Sequence, residues 1–263
     1  MIPMSNSFIT NKDKFLSDII NGILPKTNAV DFLVGYFYYS GYKELSEQLK
    51  DKRIRILIGL DIEIHITKHI CEVENFRQQL QSRGVLKEEY YAQFIKAFND
   101  TDFLDTEEKI GQFKMFYSKI LDGSLEIRKT LEPCHSKMYL FAYSDIINEG
   151  GENPGVLITG SSNLSYQGLK GRLELNARFN DKIEYDEGKV IFEELWKDAI
   201  VIADKDNIDE WNNKVMKHIW FDTLYSPYLM FIRVLIEYFA IPSKENLLTP
   251  YDITDGRFSN LKY

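Results

Sequence analysis

The sequence is poor in cysteine and contains no long apolar run. Cys71 and Cys134 are its only cysteines, too few for a disulfide framework and without the spacing of metal ligands. The longest apolar stretch, residues 228–240, includes an arginine and a glutamate and is shorter than the roughly 20 residues of a bilayer-spanning helix. Residues 1–14 are polar where a secretory signal would have an apolar core. We therefore expect a cytoplasmic protein with no membrane span.

An excess of positive charge is also missing. The net charge is −8, which by itself argues against a polyanionic partner. The negative charge is concentrated, however, because residues 183–210 hold ten acidic residues against three lysines, which gives −7. Residues 160–182 carry +2. The acidic block is typical of a solvated helix face, so the net charge says little about the ligand.

The hydrophobic content of 44% is ample for a folded core, and its pattern indicates an α/β protein. Residues 32–39 are predicted to be a buried strand, residues 42–49 have helical spacing, and residues 53–60 are predicted to be a second strand. A strand, a helix and a strand within about thirty residues are typical of a right-handed parallel crossover.

The rest of the chain is assigned more coarsely. Residues 67–116 are predicted to be a mostly helical insertion in a domain spanning 1–202, and residues 203–263 a helical extension. Residues 145–154 are rich in turn formers and predict an exposed hairpin loop. The further predicted strands are 125–130, 136–143, 155–159 and 172–179, and the further predicted helices are 162–169, 186–202, 208–219 and 227–240.

Two short motifs carry candidate chemistry. His135 and Lys137 are two residues apart in a predicted strand, so both side chains would lie on one face. The lone pair of the His135 imidazole would then lie beside the fixed positive charge of Lys137. Gly160, Ser161, Ser162 and Asn163 follow the next strand at a predicted helix start, where backbone N–H groups and the helix dipole favour a phosphate. Alone, the first motif is weak, and the second is equally compatible with a serine N-cap.

Together the two motifs resemble the signature of the phospholipase D superfamily. The chain has HSKMYLF, then GVLITGSSNLSYQGL, then RLELN. The resemblance implies a mixed sheet flanked by helices, with no metal and no cofactor. It also implies a covalent phosphohistidine on His135, and phosphoryl oxygens held by Lys137, Ser161, Ser162 and Asn163. Glu174 resembles the carboxylate of the nuclease branches, which would orient His135.

The chain departs from the family pattern in two respects. Ala142 stands where many members have an aspartate, and Asp145 is the nearest acid. The gap from Lys137 to Gly160 is 22 residues, where about a dozen is usual; a hairpin insertion would explain the length, because longer loops cost little free energy. The missing aspartate leaves a weakened or silent site as an alternative.

The motif occurs once, whereas a complete site in this superfamily uses two copies. A homodimer with twofold symmetry is the simplest way to supply the second copy. Residues 31–45 also resemble phospholipase D-like modules that precede bacterial helicase or restriction-type ATPase domains. No Gly-Lys-Thr phosphate loop is present, so any such ATPase domain would lie outside this chain. We therefore expect the chain to be a fragment of a larger protein.

Three further groups of residues receive more ordinary interpretations. His65 and His69 are four apart but have no evident third ligand, so a surface helix is favoured over a metal site. Cys134 is interpreted as a small buried residue. The aromatic cluster at 36–39 is more typical of core than of a base-stacking platform.

These observations support three functional hypotheses. The leading one is a metal-independent nuclease, acting on DNA rather than RNA, in a genome-defence or restriction-like protein. A second is a catalytically silent module that binds nucleic acid and dimerises. The third, a lipid phosphodiesterase, is disfavoured because the motif is single and no membrane-binding surface is evident.

Overall fold

A computed structural model describes residues 7–62, 83–98 and 107–219, together with four isolated positions between 228 and 235. The described residues form one eight-stranded mixed sheet with the order β1-β7-β6-β5-β2-β3-β4-β8. The strands are β1 (Phe8–Ile9), β2 (Thr27–Phe37), β3 (Arg53–Ile62), β4 (Leu125–Lys129), β5 (Met138–Tyr143), β6 (Gly155–Gly160), β7 (Asn176–Phe179) and β8 (Ile200–Ala203).

Six α-helices flank this sheet within the described ranges. They are α1 (Leu16–Ile23), α2 (Tyr39–Leu49), α3 (Arg83–Phe98), α4 (Glu107–Leu121), α5 (Lys182–Asp198) and α6 (Ile208–Lys214). None of the helices in this part of the chain is long and apolar enough to cross a bilayer.

The predicted mixed sheet flanked by helices is confirmed. β2 runs parallel to β3, with α2 as the crossover between them, and β3 runs parallel to β4. β5, β6 and β7 continue the sheet from β2 in antiparallel pairs, so the turn-rich segment 145–154 connects two antiparallel neighbours, as predicted. The pairing of β2 with β3 slips by one residue between Val34 and Tyr36, where β3 has the extra residue, which places a β-bulge in β3 opposite Gly35, near the carboxyl end of β2.

Alternate residues of the central strands pack on opposite faces of the sheet. Val30, Phe32 and Val34 of β2 belong to the larger core, which also takes buried side chains from α1, α2, α3, α4 and α6. Leu33 belongs to a smaller core on the other face, where α5 packs through Phe192 and Trp196. Both faces of β2 are therefore covered, which explains its long apolar run.

Several predicted boundaries were wrong. The helix predicted at 162–169 does not form, and the chain makes only one π-helical turn at Gln167–Gly171. The helix predicted at 186–202 begins earlier, at Lys182, and ends at Asp198, and the apolar residues after it form β8. Within the segment predicted as strand 172–179, only Asn176–Phe179 pairs as a strand.

Some segments lie outside the predictions or outside the described residues. Neither β1 nor α1 was predicted. Trp211, Val215 and Ile219, which the sequence assigned to an extension beginning at 203, are buried in the larger core beside α3 residues such as Tyr91 and Phe94. The predicted helix at 227–240, His65 and His69 fall mostly or wholly outside the described residues.

A charged cluster lies beneath α5. Asp31 of β2, 2% exposed, accepts hydrogen bonds from Arg55 Nε at 2.6 Å and Nη2 at 2.9 Å. Arg55 also contacts Glu193 at 2.6 Å, and Lys189 lies between Asp31 and Glu193. Hydrogen bonding to Arg55 holds the pKa of Glu193 at about 2. Because Asp31 is buried between two cations, removing Arg55 would leave its carboxylate with Lys189 alone.

We therefore predict that Arg55→Ala lowers the free energy of unfolding by about 3–5 kcal/mol, since it leaves the Asp31 carboxylate buried without its main partner. Urea unfolding followed by circular dichroism measures the change. Arg53→Ala, at an exposed position two residues earlier in β3, is the matched control and should stay within about 0.5 kcal/mol of wild type. A loss for Arg55→Ala no larger than that of the control would contradict the prediction.

Candidate active site

His135 and Lys137 lie in the connection that enters β5, not within the strand as predicted. β5 begins at Met138, and the Cys134 N–H donates to the carbonyl of Gly59 in β3 at 3.0 Å. The two backbones approach so closely that a Cβ at position 59 would stand 1.7 Å from the Cys134 oxygen. Only glycine at position 59 lets this connection lie against β3, which brings His135 to the carboxyl end of β2.

The structure brings the His135 and Lys137 side chains together. The Lys137 ammonium lies 2.8 Å from His135 Nδ1 and 3.0 Å from Nε2, and it donates to the His135 carbonyl oxygen at 2.6 Å. Lys137 is 4% exposed, whereas His135 is exposed. The imidazole is thus accessible to a ligand, and the ammonium is held beneath it.

This arrangement favours the neutral imidazole. Partial burial lowers the pKa of His135, and the adjacent Lys137 charge lowers that pKa further. Burial also lowers the pKa of Lys137, although the negative charge of Glu174 opposes this effect. A neutral imidazole retains a lone pair, which nucleophilic attack requires.

Asn163 joins this pair from the loop after β6. Its Oδ1 accepts a hydrogen bond from the backbone N–H of Tyr36 at 3.1 Å. Because the amide oxygen is used in this way, the Asn163 NH2 group is left to donate elsewhere. The bond therefore fixes which end of the amide a ligand would meet.

Gly35 is the residue that sequence reasoning missed. A Cβ added there would stand 3.3 Å from Asn163 Oδ1, 3.4 Å from Lys137 Nζ and 3.5 Å from His135 Cδ2. The three predicted side chains therefore converge over the backbone of one glycine, at the point where β2 faces the bulge of β3. A glycine at the end of an apolar strand was the available signal, because such a glycine often marks close approach of other groups.

Ser162, predicted to bind phosphate, lies inside the turn and not on its surface. The residue is fully buried, and its Oγ accepts from Asn176 Nδ2 at 2.9 Å. Its N–H donates to Asn176 Oδ1 at 3.3 Å, and its carbonyl accepts from the buried Tyr139 hydroxyl at 2.8 Å. Ser162 and Asn176 thus fix the shape of the turn from inside the protein.

Glu174 contacts Ser161 rather than His135. The Ser161 hydroxyl donates to Glu174 Oε2 and accepts from the Leu175 N–H at 3.0 Å. Among the described residues, no carboxylate forms a hydrogen bond with His135. The orienting role predicted for Glu174 is therefore not seen in the single chain, where this carboxylate instead holds Ser161 and acts electrostatically on Lys137.

A helix dipole does not contribute to the site, because the predicted helix after Asn163 is absent. The chain turns back on itself instead, with the Ser165 N–H donating to the Asn163 carbonyl at 2.8 Å and the Gly168 N–H to Ser165 Oγ at 2.9 Å. The loop is also tied to β2, since the Tyr38 N–H donates to the Leu164 carbonyl at 3.3 Å. Side chains, rather than a helix terminus, supply the polar groups here.

The missing family aspartate does not remove a group from this site. Ala142 lies near the far end of β5, paired with Ala29 and Gly155, roughly 16 Å along the strand from Lys137. A side chain at position 142 is therefore too distant to touch the ligands of a phosphate held by Lys137. Asp145 is exposed in the loop beyond β5.

No family model matches this sequence, and no curated protein does. Similar solved structures include Nuc, a phospholipase D family member from Salmonella typhimurium, with 9% identity and a TM-score of 0.39 over 74% of this chain and 95% of that one. NucT from Helicobacter pylori has 11% identity and a TM-score of 0.38, over 75% and 98% of the two chains. Polyphosphate kinase from Porphyromonas gingivalis has 9% identity and a TM-score of 0.41, over 88% of this chain and 29% of that one.

These similarities concern the fold, so the chemistry must be judged from the side chains themselves. A neutral imidazole, a buried ammonium and an oriented amide lie together at the carboxyl end of β2. Such a set can attack an electrophile and stabilise negative charge on its oxygens. Within the described ranges, no three histidine, cysteine or carboxylate side chains are grouped so that they could hold a metal ion.

We predict that Lys137→Met raises the pKa of the His135 imidazole. The substitution removes the neighbouring positive charge, while a methionine of similar length keeps the imidazole partly buried. An NMR titration of the imidazole Cε1 proton measures the pKa in both proteins. Lys182→Met, at an exposed lysine bound to the Gly151 carbonyl, is the control and should leave the His135 titration unchanged. An unchanged or lower pKa in Lys137→Met would contradict the electrostatic account.

Proposed function

We propose that this protein is a metal-independent phosphodiesterase that acts on nucleic acid through a covalent phosphohistidine at His135. The observation that carries the proposal is the convergence of His135, Lys137 and Asn163 over Gly35. Each of the three matches a position of the phospholipase D signature. The family resemblance in sequence and the geometry of the side chains thus point to the same reaction.

The proposed reaction has two displacements at phosphorus. A ring nitrogen of neutral His135 attacks the phosphorus atom, a phosphorus–nitrogen bond forms, and the bond to the leaving oxygen breaks. The Lys137 ammonium and the Asn163 NH2 group bind the non-bridging oxygens, where negative charge increases. A water molecule then attacks the phosphorus and gives a proton to the group that had protonated the leaving oxygen, while the phosphorus–nitrogen bond breaks, which releases the phosphate product and restores the imidazole.

A general acid must protonate the leaving oxygen, and one chain offers only one motif histidine. We infer that the acid is His135 of a second copy, in a homodimer with twofold symmetry. Lys137 lowers the pKa of His135 and so favours the neutral ring that a nucleophile needs, whereas a general acid needs a protonated ring. The two copies of His135 would therefore differ in charge once substrate is bound.

DNA is the favoured substrate, as a nuclease module within a larger helicase-type or restriction-type protein. The support is the nuclease-like Glu174 position and the resemblance of residues 31–45 to modules that precede such motors. The acidic block at 183–210 lies on α5 and the segment after it, which pack on the sheet or at its β8 edge. The motif itself contains one carboxylate, Glu174, and that carboxylate is bound by a serine hydroxyl.

One observation favours the alternative of a silent nucleic-acid-binding module. Because Glu174 is bound to Ser161, no carboxylate in the described chain fixes the orientation of His135. An imidazole without such a partner is less well prepared for attack. Cleavage assays on plasmid and single-stranded DNA in the presence of EDTA distinguish the nuclease from the silent module.

We predict that the wild-type protein cleaves DNA at the same rate with and without EDTA, and that His135→Asn lowers the rate by at least about 10³-fold, because asparagine cannot form the covalent intermediate. DNA affinity should change little, since Lys137 and Asn163 remain. His218→Asn, in the turn Met216–His218 outside the site, should cleave like wild type. A rate that disappears with EDTA and returns with magnesium would contradict the mechanism, as would substantial cleavage by His135→Asn.

An exposed apolar surface lies next to the site and supports the dimer. Phe8 of β1 pairs beside Ala177 of β7, and Leu173 and Leu175 flank Glu174 just before β7. The exposed fractions are 67% for Phe8, 76% for Leu173 and 59% for Leu175. By the alternation of side chains, Phe8 and Leu175 lie on the same side of the β1–β7 pair. Glu174, which lies between the two leucines in the sequence, accepts a hydrogen bond from Ser161. A second copy bound to this surface would therefore also reach the site.

We predict that the double substitution Leu173→Lys and Leu175→Lys converts the dimer to a monomer and abolishes cleavage, because like charges would meet across the twofold axis. Analytical ultracentrifugation at micromolar concentration measures the oligomeric state. Ile146→Lys, at a position 87% exposed in the loop between β5 and β6, is the control and should remain a dimer. A strictly monomeric wild-type protein that still cleaves would contradict the dimer.

A further inference from the structure

Tyr36 and Tyr38, at the end of β2, are placed differently from the tyrosines of the core. The alternation of side chains shifts by one residue at the irregularity between Val34 and Tyr36, so that Phe37, 1% exposed, belongs to the larger core and its two neighbours point the other way. Both tyrosines are only half-buried. The core tyrosines are no more than 5% exposed; these are Tyr42, Tyr90, Tyr91, Tyr139 and Tyr185.

The two rings form a continuous aromatic surface that reaches the nucleophile. The Tyr36 and Tyr38 ring centroids are 6.3 Å apart, with planes tilted by 59°. The Tyr36 ring is 6.4 Å from the His135 ring at an interplanar angle of 84°. An aromatic surface therefore begins beside the atom that would attack phosphorus and extends away from it toward Tyr38.

The backbone fixes this surface relative to the phosphate ligands. The Tyr36 N–H holds Asn163 Oδ1, and the Tyr38 N–H holds the carbonyl of Leu164, the next residue of the same loop. The rings and the amide that would bind phosphate are thus attached to the same few backbone atoms. A ligand that contacted both the tyrosine rings and the Asn163 amide would meet them already held in one geometry, so no loop would have to become ordered on binding.

We propose that Tyr36 and Tyr38 form a nucleobase-stacking subsite beside the scissile phosphate, and that the substrate is consequently single-stranded nucleic acid. This inference rests on the proposed function, because it assumes a nucleotide phosphate at His135. In a nucleotide chain one sugar separates each phosphate from its base, so a base next to a phosphate held by Asn163 falls beside Tyr36. A base inside a duplex is already stacked on its neighbours, and only an unpaired base can use the tyrosines.

Binding of labelled oligonucleotides tests the subsite without requiring turnover. The protein is the full chain carrying His135→Asn, and fluorescence anisotropy gives Kd for a short single strand and for the same strand with abasic residues. We expect the abasic strand to bind roughly 5- to 150-fold more weakly, the range for stacking of one base. A duplex of the same sequence should also bind more weakly than the single strand.

Substitutions at position 36 assign the effect to the ring. Tyr36→Leu retains the backbone N–H that holds Asn163, so it removes the aromatic surface and leaves the phosphate ligand in place. It should bring the intact and abasic strands to the same affinity, whereas Tyr36→Phe should keep the difference. Tyr143→Leu, at the opposite end of β5, is the matched control and should behave like the parent protein.

The outcomes separate this inference from the proposed catalysis. Equal affinity for intact and abasic strands in the parent protein overturns the stacking subsite, even where the wild type cleaves DNA. Equal affinity for single strand and duplex overturns it too. Base-dependent binding that Tyr36→Leu removes supports the subsite, even where the wild type cleaves no phosphodiester and the catalytic proposal fails.

Discussion

The hydrogen bond from the Tyr36 N–H to Asn163 Oδ1 is the contact on which the geometry of the site depends. It joins the carboxyl end of β2 to the loop after β6, two segments more than a hundred residues apart in the sequence. The Tyr36 N–H is not taken up by β5, because the pairing of β2 with β5 ends at Leu33 and Met138. Gly35 then leaves space for His135 and Lys137 beside the same amide.

The loop that carries Asn163 is stabilised from both sides. Asn176 binds the backbone and the hydroxyl of buried Ser162, and Glu174 binds the hydroxyl of Ser161. Among the residues of the Gly-Ser-Ser-Asn turn, Ser162 therefore acts structurally, while Asn163 remains in position to meet a ligand. A turn with its polar groups satisfied internally is rigid, and rigidity is what electrostatic stabilisation of a reacting phosphate requires.

Charge is used differently in two parts of the molecule. Beneath α5, Asp31, Arg55, Lys189 and Glu193 neutralise one another, and the guanidinium of Arg55 also packs 4.8 Å from the Phe192 ring. In the site, Lys137 lies against a neutral imidazole and has no carboxylate within hydrogen-bond distance among the described residues. Its charge remains available to an anionic ligand, which is what the proposed phosphodiesterase reaction requires of Lys137.

The sequence alone determined the features that depend on local pattern. A parallel crossover was predicted from the apolar run of β2, the helical spacing of α2 and the apolar run of β3. Burial on both faces and helical periodicity can be recognised from residues that are close in the sequence. The spacing of His135 and Lys137 and the Gly-Ser-Ser-Asn turn identified the candidate site.

The tertiary structure decided what depends on distant partners: Ser162 turns inward because it bonds to Asn176, and Glu174 contacts Ser161. The tertiary structure also decided that residues 200–203 pair with β4 as a strand, that residues 162–169 form no helix, and that Gly35 and Tyr36 belong to the site. Those outcomes follow from contacts between segments separated by 13 to 127 residues in the sequence, and no local periodicity encodes such contacts.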